Sequence, residues 1–195
     1  MTWEEFLKYV YHFLSVSDEV KEGWTWKELR LGLGGSYLVQ QRRERVNNVN
    51  EDNYSINGED FKEQLEDEEE NDICSIDSNH EVLTWEYHVL YNPSYATPVL
   101  YFNVWNASGK LLALDDVWKM LNVPSHALVE KWQLVTQQEH PLLMRPFFQL
   151  HPCKTSQLLS NFSMSKVNPL VSWLSSIGPF FHLYLPLEFG RNMTT

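Results

Sequence analysis

Cysteine is nearly missing from this chain: there are two, Cys74 and Cys153, 79 positions apart in 195 residues. So sparse a pair builds no disulfide framework and fits a reducing compartment, so a cytoplasmic protein is expected. Long apolar runs are missing too. No uncharged apolar stretch reaches the length of about 18 residues that a spanning helix needs, so no transmembrane segment is expected. The opening stretch, MTWEEFLKYVYHF, is acidic early and lacks the apolar centre of a secretory leader. Positive charge is scarce, with 15 Lys and Arg against 26 Asp and Glu, a net charge of −11. A general nucleic-acid binder needs a basic face to displace counterions from phosphates, so nucleic acid is not an expected partner. No glycine-rich phosphate loop and no internal repeat is visible.

What the chain does have is a core's worth of side chains. Hydrophobic residues make up 43% and aromatics 14%, with eight tryptophans. At this length that composition reads as one domain spanning 1–195, most of which must fold. The acidity is concentrated: residues 59–72 hold nine Asp or Glu against one Lys, leaving a net −3 for everything else. Like charges at that density repel, and few large apolar groups are there to offset the cost of ordering. Asn47–Asn79 therefore reads as a mobile acidic insertion, either a solvating linker or a docking tail for a basic partner. Cys74 lies inside it and reads as incidental.

Around the insertion the pattern is that of an α+β sandwich, one antiparallel sheet with flanking helices. Trp3, Phe6, Leu7, Val10, Phe13 and Leu14 recur at helical spacing, and Thr2 and Glu5 have the spacing of a capping box. That helix should fade near SVSDE. Strands are expected at Ser36–Gln41, Val82–Tyr91 and Val99–Trp105, with PFFQL as a short fourth. In the second, Leu83, Trp85, Tyr87, Val89 and Tyr91 alternate with Thr84, Glu86 and His88, the signature of a half-buried strand. LALDDVWKML reads as a short helix burying Leu114, Val117, Trp118 and Leu121. NPLVSWLSSIGPFF reads as another, with Asn168 as cap, Pro169 at its first position and Leu170, Trp173, Leu174 and Ile177 inward.

The chemistry centres on FFQLHPCKTSQLL. Cys153 admits three readings: a buried thiol, half of a metal site, or a nucleophile. A structural zinc site wants four ligands, usually as two close pairs, and His151 with Cys153 has no second pair. No metal is expected. Free cysteine is among the most buried residue types, which keeps the structural reading open. Against it, Pro152 and Lys154 flank the thiol, and Thr155 or Ser156 could cap a following short helix. A thiolate is favoured near a cation and a helix N-terminus. A cysteine protease, with His140 or His151 as base, lacks any recognisable motif. On local physics alone the structural thiol and the nucleophile both stand.

Three blocks in order, YHVLYNPSYATPVLYF, TQQEHPLLMRPFFQLHPCKT and SWLSSIGPF, resemble the autophagy-related ubiquitin-like-conjugating enzymes over about Trp85 to Leu187. The pairing of TQQEHP with HPCKT sets the chain closer to the protein-conjugating branch than to its lipid-conjugating sister. The resemblance implies a ubiquitin-conjugating-like core with a four-stranded antiparallel sheet. It also implies that Cys153 accepts the C-terminal glycine of a ubiquitin-like modifier, the autophagy modifier numbered twelve, as a thioester from an activating enzyme. A lysine of the acceptor, the autophagy protein numbered five, then displaces it, with no cofactor. A monomer is expected.

The His-Pro-Asn motif of ordinary ubiquitin-conjugating enzymes is missing here; EHP stands at 139–141 and HPC at 151–153. His151, Gln138 and His140 are the candidates to assist Cys153, followed by Thr136, Gln137, Tyr95 and Asn103. For His151 a loop-shaping role weighs about equally with a catalytic one. Gln137, Gln138 and His140 read more readily as braces. The alternatives are a module that binds the modifier without catalysis, or the lipid-branch sister.

Overall fold

The computed structural model describes residues 1–29, 34–47, 80–121, 135–152, 155, 158–159 and 167–193. The acidic insertion beyond Asn47, with Cys74, lies outside the described residues.

Helix α1 spans Trp3–Val20, and its capping box is formed: the Glu5 amide donates to the Thr2 hydroxyl, while the Glu5 carboxylate accepts the Thr2 amide. The helix does not fade at SVSDE. Val16 and Ser17 are buried, and the Ser17 hydroxyl accepts the Trp24 amide, so the last turn is held from outside before Lys21 closes it in a left-handed conformation. Phe6, Val10 and Phe13 are fully buried against the sheet as expected, whereas Leu7 stays outside the core cluster.

The sheet has six antiparallel strands where four were expected. They are β1 (Thr25–Glu28), β2 (Ser36–Asn47), β3 (His80–Asn92), β4 (Thr97–Trp105), β5 (Val135–Glu139) and β6 (Pro146–Leu150), in spatial order β1-β2-β3-β4-β6-β5. The two additions are the edge strands. Both are short and largely polar (TWKE and VTQQE), so neither carries enough apolar alternation to be legible alone; ladder hydrogen bonds to the neighbouring strand define them. Strand β2 also runs past Gln41 to Asn47 through QQRRERVN, because β3 offers a partner for every residue.

One face of the sheet is covered by α1, by α3 (Pro169–Ile177) and by the C-terminal turns. There Leu83, Trp85, Tyr87, Val89 and Tyr91 join Phe102, Phe148, Trp173 and Phe181 in the main core. The short helix α2 (Leu114–Met120) adds Val117 and Trp118. Asn168 caps α3 through the Leu170 amide, with Pro169 in the first turn. After α3 the chain turns tightly. A side chain at Gly178 would collide with the Leu183 carbonyl, so this position tolerates only glycine. The Tyr87 hydroxyl donates to the Phe181 carbonyl at 2.7 Å, tying that turn to the central strand.

The opposite face is not bare. The β5–β6 turn folds over it, and Leu142 and Leu143 pack on a second cluster of Tyr37, Leu90, Val99, Tyr101 and Phe147. Strand β3 is therefore buried on both sides rather than half-buried: Glu86 is 6% and His88 is 1% exposed. Tyr87, Tyr91 and Tyr101 are buried as well.

Candidate active site

Strand β6 leads straight into the HPC segment. Its Tyr101↔Gln149 and Phe102↔Phe148 pairings with β4 place the exit of β6 at the end of the sheet where the β3–β4 turn lies. That turn is built by Asn92, whose side-chain oxygen accepts the amides of Ser94 and Tyr95 at 3.0 and 3.2 Å. It presents Tyr95, 46% exposed, to the half-buried His151, ring centroids 6.3 Å apart and edge to face. Pro152 is buried; its carbonyl accepts the Thr155 amide at 3.1 Å, and Thr155 is buried too. Leu158 and Leu159 pack against the main core. Cys153 itself, with Lys154, lies outside the described residues, but the chain is anchored immediately before and soon after it.

The other candidates separate along the β5–β6 ladder. Thr136 pairs with Gln149 and Gln138 with Phe147, whereas His140 sits in the turn beyond Glu139↔Pro146. His140 is level with Arg145, so six residue steps of about 3.4 Å put it roughly 20 Å along the strand from His151. Thr136, half-buried, is near the His151 end; Gln138 is exposed on the edge strand nearer the turn. Asn103 donates to the Pro146 carbonyl at 3.2 Å and braces the start of β6. Of the residues named from sequence, His151, Tyr95 and Thr136 converge on one end, and Gln138, His140 and Asn103 lie toward the other.

His140 is fully buried and holds the turn together. Its Nδ1 accepts the amides of Leu142 and Leu143, both at 3.2 Å. The proton is thereby assigned to Nε2, which donates to His88 Nδ1 at 3.0 Å, leaving His88 Nε2 to donate to Glu86 Oε1 at 2.8 Å. Arg145 closes the series on Glu86 Oε1 at 3.4 Å and lies over the Phe147 ring. Burial, then the charges of His88 and Arg145, lower the His140 pKa to about 4, Glu86 opposing. For Glu86, burial pushes the carboxyl up, but the His88 hydrogen bond and charge, Arg145 and a Gln41 hydrogen bond outweigh it and leave the pKa lowered. Sequence reasoning missed this network. The available signal was the i, i+2 spacing of Glu86 and His88, which puts both on one face of β3.

Two outcomes follow. His140→Ala strands two backbone amides and His88 Nδ1 in the interior, and is expected to cost about 2–4 kcal/mol in urea unfolding. The folded pKa of His140 is depressed below its unfolded value of 6.5, so the unfolded chain binds more protons in between. Stability should therefore be complete above pH 6.5 and fall by roughly 3 kcal/mol as pH drops toward 4, with Glu86 adding to the loss at lower pH. A His140→Gln variant should show a flatter slope across that window.

Among the described residues, no group of three or more His, Cys, Asp or Glu is placed to hold a metal ion. No described helix is long and apolar enough to cross a membrane.

With strands, helices and the HPC approach in view, the class is settled by comparison. The family described as "Autophagocytosis associated protein, active-site domain" matches residues 5–188, and the chain belongs to it. It is similar to the human ubiquitin-like-conjugating enzyme ATG10, 32% identical over 203 residues, covering 95% of this chain and 90% of that protein. The Arabidopsis thaliana enzyme of the same name is 44% identical over 117 residues, 53% of this chain and 51% of its own length. Autophagy-related protein 3 of Schizosaccharomyces pombe is 28% identical over 99 residues, 49% of this chain and 34% of that protein. The chain is a ubiquitin-like-protein-conjugating enzyme of autophagy, and the ATG10 relatives are favoured over the sister branch.

Proposed function

We propose that Cys153 is the nucleophile that carries the modifier. Its thiolate attacks the thioester carbonyl joining the modifier's C-terminal glycine to the activating enzyme's cysteine, and that enzyme's thiolate leaves. A neutral lysine amine of the acceptor then attacks the new thioester; an isopeptide bond forms, the Cys153 thiolate leaves, and the amine's proton passes to solvent or a nearby base. A thioester is already activated, so the work left to the protein is positioning, polarising the carbonyl and desolvating the lysine. The observation that carries the reading is the fixed approach to residue 153. Strand β6 enters it in register with the sheet, Pro152 and Thr155 are buried on either side, and His151 packs against Tyr95.

His151 is the nearest described candidate to assist, with Tyr95 and Thr136 at the same end. His140, with both ring nitrogens engaged about 20 Å down the strand, is a brace for the hairpin. The partners are the modifier numbered twelve, its activating enzyme and the acceptor numbered five. The protein acts as a cytoplasmic monomer, one domain with an acidic insertion at 47–79. Incubation with activating enzyme, modifier and ATP tests the reading. A reductant-sensitive adduct is expected on the wild type; no adduct with an active partner set would leave the non-catalytic binding module as the function.

A further inference from the structure

Strand β2 is twelve residues long, but β1 covers only Ser36–Val39 of its outer side. At Gly23 the chain leading to β1 turns away with a positive φ, and Glu22 covers Gln40 through its backbone and side-chain oxygens. Beyond that point, among the described residues, no strand lies beside Gln41 to Val46. An antiparallel strand with one free side directs alternate N–H and C=O groups outward, ready to pair with another extended chain.

The side chains on this edge are sorted by charge. Gln41, Arg43 and Arg45 are exposed and point to the face opposite α1 and α3; Arg42 and Glu44 point to the helix side, where they bond to the Tyr184 carbonyl and His182. Lys27 and Arg145 share the first face, and among the described residues Lys27, Arg43 and Arg45 make no ion pair. Glu86, on the same face beside Gln41 and Arg43, is buried and engaged by His88 and Arg145. Gln41 and Arg43 also line an open groove of about 680 Å³ floored by Thr84 and Glu86 and closed by Trp105 and Arg145. In a chain of net charge −11, a strand edge and its adjoining groove are thus cationic.

We propose that the outer edge of β2 from Gln41 to Val46 docks an extended segment of a partner protein carrying acidic side chains at alternate positions. Pairing to the edge supplies backbone hydrogen bonds. The period of two then turns every second side chain of the added strand toward Arg43, which lines the groove, and Arg45, two residues along the same face. The segment's other side chains face the helix side, where half-buried Val46 packs against the main core.

The test is fluorescence anisotropy on the full chain with a labelled octapeptide of alternating Glu and Val. A Lys–Val octapeptide and an N-methylated form of the acidic one serve as controls. Saturable binding of the acidic peptide is expected, with neither control bound. Arg43→Glu with Arg45→Glu should weaken it by about tenfold or more, as reversal of two facing charges requires. An unchanged urea midpoint shows that this variant is folded. Equal binding of the Lys–Val peptide, insensitivity to the charge reversal, or no binding would each overturn the proposal. So would binding that appears only after Glu66, Asp67, Glu68, Glu69 and Glu70 are changed to their amides, which would assign the edge to the chain's own acidic run.

Discussion

Cys153→Ser is expected to trap the modifier as an adduct that survives reductant, while Cys153→Ala forms none. The contrast comes from the leaving group. A thiolate departs readily from a tetrahedral intermediate because its conjugate acid is near pKa 8.5, whereas a serine alkoxide is far more basic. The oxygen ester is therefore both harder to form and slower to discharge. Transfer to the acceptor should fall by at least about a thousandfold, some 4 kcal/mol of barrier. The adduct should persist in thiol buffer and disappear only in strong alkali. Unfolding midpoints of both variants should match the wild type closely enough to attribute the loss to chemistry.

Phe102→Ala is the second large effect, this time on the fold. Phe102 is fully buried at the centre of β4, with ring centroids 6.1 Å from Trp85, 5.5 Å from Phe148 and 5.2 Å from Phe181. It joins β3, β6 and the C-terminal turn in one cluster. Deleting the ring removes its transfer free energy and leaves a cavity that three neighbouring rings cannot collapse without leaving their rotamers. A loss of about 3–5 kcal/mol is expected, a large share of the 5–15 kcal/mol typical of a domain. Urea unfolding should show a lower midpoint with an unchanged slope. Phe148 heads the strand segment that delivers His151, so charging should weaken in this variant near its melting temperature before secondary structure is lost.

The elements legible in the sequence were those whose burial leaves a period. The α1 stripe and its Thr2–Glu5 box, the alternation of Leu83 to Tyr91, and the Asn168-Pro169 start of α3 were each local signals, and each element formed. The edge strands β1 and β5 were not legible, because TWKE and VTQQE are set by their neighbours' ladders and not by their own side chains. Glu86 and His88 looked solvent-facing because alternation predicts one wet face; a turn some fifty-five residues later, brought over by Leu142 and Leu143, makes that face dry. At the site, the sequence offered both His140 and His151 as candidates to assist Cys153, His140 more readily as a brace. Strand register separates them, with one at the hairpin turn and the other at the exit of β6. No local pattern carries that distinction.

The central claim is that one sulfur, that of Cys153, holds the modifier between activating enzyme and acceptor. Its most direct test is tandem mass spectrometry of the charged wild-type enzyme, quenched in acid without reductant and digested. The account predicts the modifier's C-terminal remnant on the peptide containing Cys153, linked through sulfur and released by dithiothreitol. A remnant on Lys154, on Cys74 or on any other residue, or none at Cys153 in a reaction that yields conjugated acceptor, would contradict it.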